Sequence, residues 1–371
     1  MLLSILLGIN LYALLSGKTY FYKAIRYNFA GVDDYKLFEN RTIRKSTQPQ
    51  PWLQSTSFNQ KAISSELKST LDSLETFAFL IIKNDSIVYE SYSDGYGTSS
   101  YSNSFSVAKS VVGILVGAAL RDGKIKHIDQ PVADFLPNFE GEKSKITIRH
   151  LLTMSSGLNW DESYTSPFSM TTEAYYGDDL PKLISKLEAI EEPGKVYNYL
   201  SGNTQLLGLI VEKATGKHLS EYAEAKLWQP MGMENDALWC LDKANGTEKA
   251  YCCINSNARD FARLGKLYLN KGNWNGIQIV DTAFVNESTQ PASLLDPDDK
   301  QPIDYYGLHW WLYPDCNGME VFYARGILGQ YIIVIPEENI IIVRLGQKRG
   351  PKEGREKLSD VRLYVKEALN L

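Results

Sequence analysis

Residues 104–120 read SFSVAKSVVGILVGAAL, and the predicted fold is arranged around them. From residue 111 to residue 120 no side chain is charged, and a helix that is apolar on all sides lies inside a protein. Its first turn nevertheless carries Ser106 and Lys109, whose spacing of three places both side chains on one face. A buried amine without a partner tends to lose its proton. A serine hydroxyl beside such an amine is a candidate nucleophile.

A structural interpretation of this turn is also available. Serine is a favoured helix N-cap, and a lysine can bury its stem while its amine reaches water. The same Ser-x-x-Lys spacing occurs at Ser65 and Lys68, inside a polar helical pattern that is typical of a solvated surface. The motif at Ser106 therefore needs support from the rest of the chain.

The composition is that of an ordinary globular protein. The chain has 371 residues, of which 44% are hydrophobic and 22% are charged. This length accommodates two domains, or one large domain with an insertion. The net charge of -5 and the lack of a Lys/Arg cluster argue against nucleic acid as a partner. No prediction of the oligomeric state follows from these features.

The cysteines and histidines do not form a metal-binding pattern. The four cysteines are Cys240, Cys252, Cys253 and Cys316, and none of them forms a CxxC motif. The four histidines are scattered and include no HExxH motif. We expect no bound metal and no cofactor. Disulfides are possible but not indicated, and the adjacent pair Cys252 and Cys253 is interpreted as core packing rather than as a redox site.

The N-terminal segment, residues 1–17, carries no charged side chain. As a helix it would be about 25 Å long, the short limit for crossing a bilayer. A secretory signal is the alternative, although a basic start and a good cleavage site are missing. We expect membrane attachment in the envelope of a bacterial cell. Lys18, Lys23 and Arg26 follow the segment and favour the cytoplasmic side for the remaining chain, which is the alternative location.

The remaining chain is divided into an extended lead-in, residues 18–60, and one domain, residues 61–371. Strand patterns occur at both ends of this domain, as a hairpin over residues 77–92 and as strands between residues 319 and 345. The patterns from about residue 125 to residue 305 are mostly helical. This order predicts an α/β (α+β) fold, in which both chain ends form one antiparallel sheet flanked by helices and a mostly helical subdomain is inserted. A site is expected in the cleft between these parts.

Two further segments are candidates for the same site. Residues 193–203 form a polar, aromatic loop in which Tyr199 can bring a phenol to Ser106 and Lys109; a turn with an N-cap is the alternative. A cation beside Tyr199 would lower its pKa, so that a tyrosinate could accept the serine proton. In residues 322–330, the N–H groups of Ile327 and Ser106 could form an oxyanion hole. The alternative there is a bulge between edge strands.

The order of these motifs resembles the serine β-lactamase superfamily. Ser-Val-Ala-Lys is followed by residues 150–158 (HLLTMSSGL), by Pro-Gly and Tyr-x-Ser, by residues 207–212 (LGLIVE), and by a C-terminal Gly-x-x-Gly-Gln strand. Within the superfamily the chain is most similar to class C β-lactamase-related esterases and 6-aminohexanoate-dimer hydrolases, from about Ser65 to the C-terminus. The resemblance implies a β-lactamase/transpeptidase-like fold. It also implies Ser106 as the acylated nucleophile, Lys109 as its activator and Tyr199 as the general acid/base.

The chain departs from the family pattern at two places. Ser201 stands where many members have asparagine, and Ala324-Arg325-Gly326 replaces the Lys-Thr-Gly triad of true β-lactamases. Strand alternation puts Arg325 on the opposite side from Ala324 and Gly326, so we expect it to point away from the site. Without the lysine, efficient β-lactam hydrolysis is not expected.

Five residues are candidates for substrate binding. They are Ser201, Gly326, Trp160, Tyr175 and Trp310. Tyr175 lies in a Gly/Asp-bounded loop that could act as a lid. Trp160 and the pair Trp310-Trp311 could line an acyl pocket, with aromatic core as the alternative. His150 is interpreted as a packed or capping residue.

These features predict a serine hydrolase that cleaves a small-molecule ester or amide through an acyl-enzyme. One alternative is a D-amino-acid peptidase, amidase or penicillin-binding-like cell-wall enzyme. Another is a non-catalytic binding module on the same fold.

Overall fold

The computed structural model of the chain describes residues 15–371 together with residues 8, 10, 11 and 13. The segment predicted to attach to a membrane, residues 1–17, therefore lies largely outside the described residues. Within the described part of the chain, no helix combines the length and the apolar character that a membrane span requires.

The long strands lie near both ends of the described chain, and most of the helices lie between them. The helices are α1 (Tyr20–Tyr27), α2 (Ser65–Ser73), α3 (Val107–Arg121), α4 (Ile148–Leu152), α5 (Met170–Tyr176), α6 (Leu180–Ser185), α7 (Ser201–Thr215), α8 (Leu219–Ala223), α9 (Ala258–Leu269), α10 (Thr282–Ser288) and α11 (Ser359–Asn370). The strands are β1 (Asn40–Ile43), β2 (Leu53–Gln54), β3 (Thr76–Lys83), β4 (Ser86–Tyr92), β5 (Ser102–Asn103), β6 (Ala237–Cys240), β7 (Ile254–Ser256), β8 (Asn273–Trp274), β9 (Ile277–Gln278), β10 (Trp311–Cys316), β11 (Met319–Gly326), β12 (Gln330–Ile335) and β13 (Ile340–Gly346).

The largest sheet is built from both ends of the domain, as the sequence predicts. Its seven strands lie in the order β10-β11-β12-β13-β3-β4-β2. β13 pairs antiparallel with β3, which joins the C-terminal strands to the N-terminal hairpin. The edge strand β2 runs parallel to β4, so the sheet is mixed rather than fully antiparallel. The strand order thus agrees with the α/β fold that the sequence predicts, with one sheet built from both chain ends.

Helices cover both faces of this sheet, which explains why β3 reads as a continuous apolar run rather than an alternating one. Residues such as Ile332 and Val343 pack with α3 and α9 in one core cluster. Their neighbours Ile333 and Ile342 pack with Tyr364 of α11 in the other cluster. Successive strand residues point to opposite faces, so both sets are buried.

Helix α3 is the buried centre of the larger cluster. Every residue from Val107 to Ala119 is buried, including Lys109. Gly117 allows α10 to approach, because a Cβ atom there would lie 2.6 Å from Val280 and 2.8 Å from Phe284. The helix therefore cannot move without disturbing the core, and its first turn is held in place.

The segment from residue 18 to residue 60 differs from the extended lead-in that its sequence predicts. It contains α1, β1 and β2, and β1 pairs antiparallel with β6 in a second sheet of order β1-β6-β7-β5. This pairing satisfies the backbone N–H and C=O groups of β1. The side chains of this segment show no hydrophobic periodicity, so the sequence did not predict the strand. The region between residues 125 and 305 is mostly helical but contributes β6 to β9 as well.

The adjacent cysteines Cys252 and Cys253 are joined by a disulfide bond, although the sequence was interpreted as simple core packing. Both residues are buried in the turn that precedes β7. Cys240 and Cys316 are free and buried.

Candidate active site

Ser106 lies at the N-cap of α3, on a turn with unusual backbone geometry. The preceding residue, Phe105, is buried and has a φ of 44°. A non-glycine residue in this region is strained and is held only by its surroundings. The N–H of Phe105 donates to Asn103 Oδ1 at 3.0 Å, and the N–H of Ser104 donates to the Ile254 carbonyl at 2.8 Å. This turn presents the half-buried Ser106 hydroxyl to a pocket.

Lys109 contacts Ser106 directly. Its Nζ donates to Ser106 Oγ at 3.0 Å and to the Tyr251 carbonyl at 3.0 Å. The side chain is only 2% exposed, and this burial lowers the pKa of Lys109 to about 8, while the charge of Glu162 opposes the shift. A neutral amine is thus available at the upper end of the physiological pH range.

Tyr199 completes the group that the sequence predicts. Lys109 Nζ lies 5.0 Å from the centre of the Tyr199 ring. Burial raises the pKa of Tyr199, and a hydrogen bond with Ser106 opposes the shift only in part. The expected lowering of the Tyr199 pKa is therefore wrong, because burial outweighs the effect of its neighbours. Tyr199 is a neutral phenol, which is a proton donor rather than the primary base.

The two N–H groups predicted for the oxyanion hole belong to residues that line the same pocket. These residues are Ser106 and Ile327. In the described part of the chain, neither N–H donates to a carbonyl outside its own helix or strand. Gly326 brings the end of β11 close to the turn that contains Ser104 and Ser106, since a Cβ atom on Gly326 would lie 2.4 Å from the Ser104 carbonyl oxygen. The absence of a side chain at Gly326 thus allows two backbone segments to approach each other next to Ser106.

Arg325 does not point away from the site. It lies on the face opposite to Ala324, as strand alternation requires, but that face also carries Trp311. The guanidinium lies 3.4 Å from the centre of the Trp311 ring and donates to Glu356 Oε2 at 2.6 Å. The Trp311 ring lies 5.4 Å from that of Tyr199. The charge of Arg325 lowers the pKa of Tyr199, against the larger effect of burial.

A pocket with six aromatic residues among its fourteen lining residues adjoins Ser106. It is lined by Asn28, Phe29, Ala30, Phe105, Ser106, Tyr164, Thr171, Thr172, Tyr175, Tyr176, Ser201, Tyr251, Cys252 and Ile327. The segment Asn28–Ala30 follows α1, so the N-terminal region contributes directly to the site. Its sequence has no period that would have indicated this role.

Two of the five predicted substrate-binding residues line this pocket, and three do not. Ser201 and Tyr175 line it. Tyr175 belongs to α5 rather than to a lid loop, and its hydroxyl donates to Asp34 Oδ2 at 2.8 Å. Trp160 packs against Gly202, and Trp310 is fully buried.

Trp160, Trp310 and Gly326 therefore pack next to the site without lining its pocket. The Trp160 Nε1 donates to Thr171 Oγ1 at 3.0 Å. The Trp310 ring packs on Tyr268 and Phe322, with ring centres 4.5 Å and 5.2 Å apart. Trp160 and Trp310 are both part of the hydrophobic core, which was the alternative interpretation for the tryptophans.

Glu162 is a site residue that the sequence did not reveal. Its two carboxylate oxygens accept hydrogen bonds from the N–H of Ser201 at 2.6 Å, the hydroxyl of Ser201 at 2.7 Å and the hydroxyl of Tyr164 at 2.5 Å. A carboxylate in this position satisfies the start of α7 and complements its dipole. Because Glu162 lies in a loop without periodicity, only the folded chain brings it to α7.

His150 has the capping role that the sequence predicts. Its N–H donates to Thr147 Oγ1 and its ring nitrogen accepts from the N–H of Thr147, which forms a capping box at the start of α4. It does not line the pocket at Ser106.

Comparisons with known proteins place the chain among related sequences and folds. A 6-aminohexanoate-dimer hydrolase of Paenarthrobacter ureafaciens is 27% identical over 305 residues, which cover 77% of this chain and 76% of the relative. A solved structure from Bacillus anthracis, assigned provisionally as a 6-aminohexanoate-dimer hydrolase, has a TM-score of 0.77 at 21% identity and covers 93% of this chain and 92% of its own.

The structure of a family VIII carboxylesterase has a TM-score of 0.65 at 17% identity, covering 87% of this chain and 99% of its own. At these identities the two structures support the fold alone. The beta-lactamase family model matches residues 67–366, which include α3, the Tyr199 loop and β11. The chain therefore belongs to the beta-lactamase family.

Proposed function

We propose that the chain is a serine hydrolase that cleaves a small-molecule ester or amide through an acyl-enzyme on Ser106. The hydrogen bond between Lys109 Nζ and Ser106 Oγ, in a buried turn, is the observation that supports this proposal most strongly. The Tyr199 ring centre lies 5.0 Å from Lys109 Nζ, and Ser106 influences the pKa of this phenol, which makes Tyr199 the candidate for the remaining proton transfers. A non-catalytic binding module has no need for this arrangement.

In the proposed reaction, Lys109 and Tyr199 each accept a proton and each donate one. Neutral Lys109 accepts the proton of Ser106 while Oγ forms a bond to the substrate carbonyl carbon. The N–H groups of Ser106 and Ile327 stabilise the oxyanion. Tyr199 donates its proton to the leaving oxygen or nitrogen, and the Lys109 ammonium restores it. Water then attacks the acyl carbon, and its proton passes to Lys109 and Tyr199. The bond between Oγ and the acyl carbon breaks, and these groups return a proton to Ser106.

The pocket favours an apolar acyl group and disfavours a carboxylate as the main recognition element. Its aromatic lining includes Phe29, Tyr164 and Tyr176. Arg325 is covered by Trp311 and paired with Glu356, so it is not free to bind a substrate carboxylate. β-Lactams and D-alanyl-D-alanine peptides carry such a carboxylate. We therefore place esters and simple amides ahead of the cell-wall peptidase alternative.

A substrate panel tests this assignment. The purified chain is mixed in a stopped-flow instrument with p-nitrophenyl esters of increasing acyl length, and separately with a D-Ala-D-Ala peptide and a chromogenic β-lactam. We expect a burst of p-nitrophenol equal to the enzyme concentration and slow turnover of the other two. Turnover of the peptide that exceeds turnover of every ester would support the cell-wall alternative instead.

The pH profile is expected to follow the proton on Lys109. Since the proposed base is the neutral amine and its pKa is about 8, kcat/KM should rise as the pH increases through that value. The neutral fraction increases about 50-fold between pH 6 and pH 8, and kcat/KM should increase by roughly the same factor. Initial rates with an ester, corrected for spontaneous hydrolysis, measure this. A profile that is flat over this range would exclude Lys109 as the base.

We also propose that residues 1–17 attach the chain to a membrane of the bacterial envelope. The support is the uncharged run in the sequence. In cells that express the full chain, we expect it to remain in the pellet after alkaline carbonate extraction. A chain that begins at residue 18 should be released. Equal release of both would refute the proposal.

A further inference from the structure

Three side chains outside the Ser106 pocket converge at the end of α7. Glu212 lies in its last turn, His218 precedes α8, and Glu248 comes from the loop between β6 and β7. One potential ligand atom from each of the three lies within 4.8 Å of the other two. None of these residues lines the pocket at Ser106. Glu248 lies 30 residues after His218 and 36 residues after Glu212, so no short sequence motif contains all three.

Glu248 has one carboxylate oxygen for which the surrounding protein provides no partner. The residue is 1% exposed. Its Oε1 accepts hydrogen bonds from Arg41, from the N–H of Ser220 at 3.1 Å and from the hydroxyl of Ser220 at 2.7 Å. Its Oε2 is buried and has no hydrogen-bond partner in the described part of the chain. An unsatisfied buried carboxylate oxygen is costly, and a cation would satisfy it.

Glu212 and His218 already have the spacing of two ligands on one ion. His218 Nδ1 lies 3.2 Å from Glu212 Oε1. Two ligands bound at 2.0 to 2.1 Å in a tetrahedral site are separated by about 3.3 Å. In the metal-free state this contact is a histidine–carboxylate hydrogen bond. When a cation binds, the proton of this hydrogen bond moves to Nε2 of a neutral ring, or to solvent from a protonated ring, and the Nδ1 lone pair then coordinates the ion.

The charge balance also favours a cation. Two carboxylates face each other here, and Arg41 is the cation that pairs with Glu248. Arg41 contacts the oxygen that is already satisfied, not Oε2. The partial exposure of His218 and Glu212 leaves a path from solvent and room for a water ligand.

We propose that Glu212, His218 and Glu248 bind a divalent transition-metal ion and that Zn²⁺ fits this donor set best. One imidazole nitrogen with two carboxylate oxygens suits zinc, whereas Ca²⁺ and Mg²⁺ prefer ligand sets made entirely of oxygen. The ion would tie α7 and α8 to the segment that continues to Tyr251, whose carbonyl holds Lys109. It is a structural site and takes no part in the hydrolysis.

Thermal unfolding with and without metal tests this inference on the full chain. The protein is treated with EDTA, exchanged into buffer, and titrated with ZnCl₂ in scanning fluorimetry and isothermal calorimetry. We expect one ion per chain and a Tm that is several degrees higher at saturating zinc. Glu212→Gln and His218→Ala should each abolish both signals. His127→Ala removes an exposed histidine outside the cluster and should change neither.

Glu212→Gln keeps the shape of the side chain, so its loss of the zinc signal is not a consequence of misfolding when its metal-free Tm matches that of the parent chain. Failure of the parent chain to bind zinc would overturn the proposal. Binding that survives in both variants would overturn it as well. An equal Tm increase with MgCl₂ alone would refute the choice of ion.

Discussion

Ser106→Ala should lower kcat/KM for a chromogenic ester by on the order of 10⁴-fold or more, because the variant lacks the oxygen that forms the acyl-enzyme. The burst of product should disappear at the same time. We expect the Tm to change little, since Ser106 is only half-buried and Lys109 keeps its hydrogen bond to the Tyr251 carbonyl. Initial rates at high enzyme concentration, with unfolding curves for both proteins, measure these effects.

The second Ser-x-x-Lys motif supplies the matched control for this variant. Ser65 opens α2 and is exposed, so Ser65→Ala should keep full activity. An Ser106→Ala protein that retains the parental rate after rigorous purification would contradict the proposed mechanism.

Lys109→Met should lower kcat by on the order of 10³-fold, because the variant has no base to accept the proton of Ser106. Methionine is unbranched and apolar, and therefore fits a site that is 2% exposed. Removal of a buried amine should leave the stability equal or higher, since desolvation of the charged form is costly. The residual activity should also lose the rise with pH near 8. Rates from pH 6 to pH 9, with the Tm, measure these changes.

Lys68→Met provides the corresponding control, since Lys68 is exposed on α2. This variant should keep both the parental rate and the parental pH profile. A Lys109→Met protein with near-parental kcat would show that another group activates Ser106.

The elements that carry Ser106 are predictable from the sequence because their pattern is strong. The uncharged run of α3 could only be a buried helix, and the hairpin of β3 and β4 shows apolar strands on both sides of an Asn-Asp turn. The convergence of Ser106, Lys109 and Tyr199 was also predicted. Here the order of several motifs added information that the short Ser-x-x-Lys motif lacks.

Predictions that depend on environment were less successful, because the sequence does not show how deeply a group is buried. Tyr199 was expected to lose its proton readily, yet burial raises its pKa. The pair Trp310-Trp311 was a candidate for an acyl pocket, but Trp310 is fully buried in the core and only Trp311 packs on Tyr199. Alternation correctly separated Arg325 from Ala324, but it could not show that Trp311 lies on the Arg325 side.

Residues from loops and distant segments escaped sequence analysis for a different reason. Glu162 reaches the start of α7 from a loop without periodicity, and Asn28–Ala30 line the pocket from a region expected to be a lead-in. Glu212, His218 and Glu248 likewise converge only through the packing of α7, α8 and the loop after β6. Hydrophobic periodicity and short motifs describe neighbouring residues, so they do not predict contacts between distant segments.

The covalent state of Ser106 is the most direct test of the central proposal. The parent chain is treated with a fluorophosphonate, its intact mass is measured, and the modified residue is located by peptide mapping. We expect a single adduct on the peptide that contains Ser106, with ester hydrolysis lost in proportion to labelling. Labelling of a different residue, or continued hydrolysis by a fully labelled protein, would contradict the account.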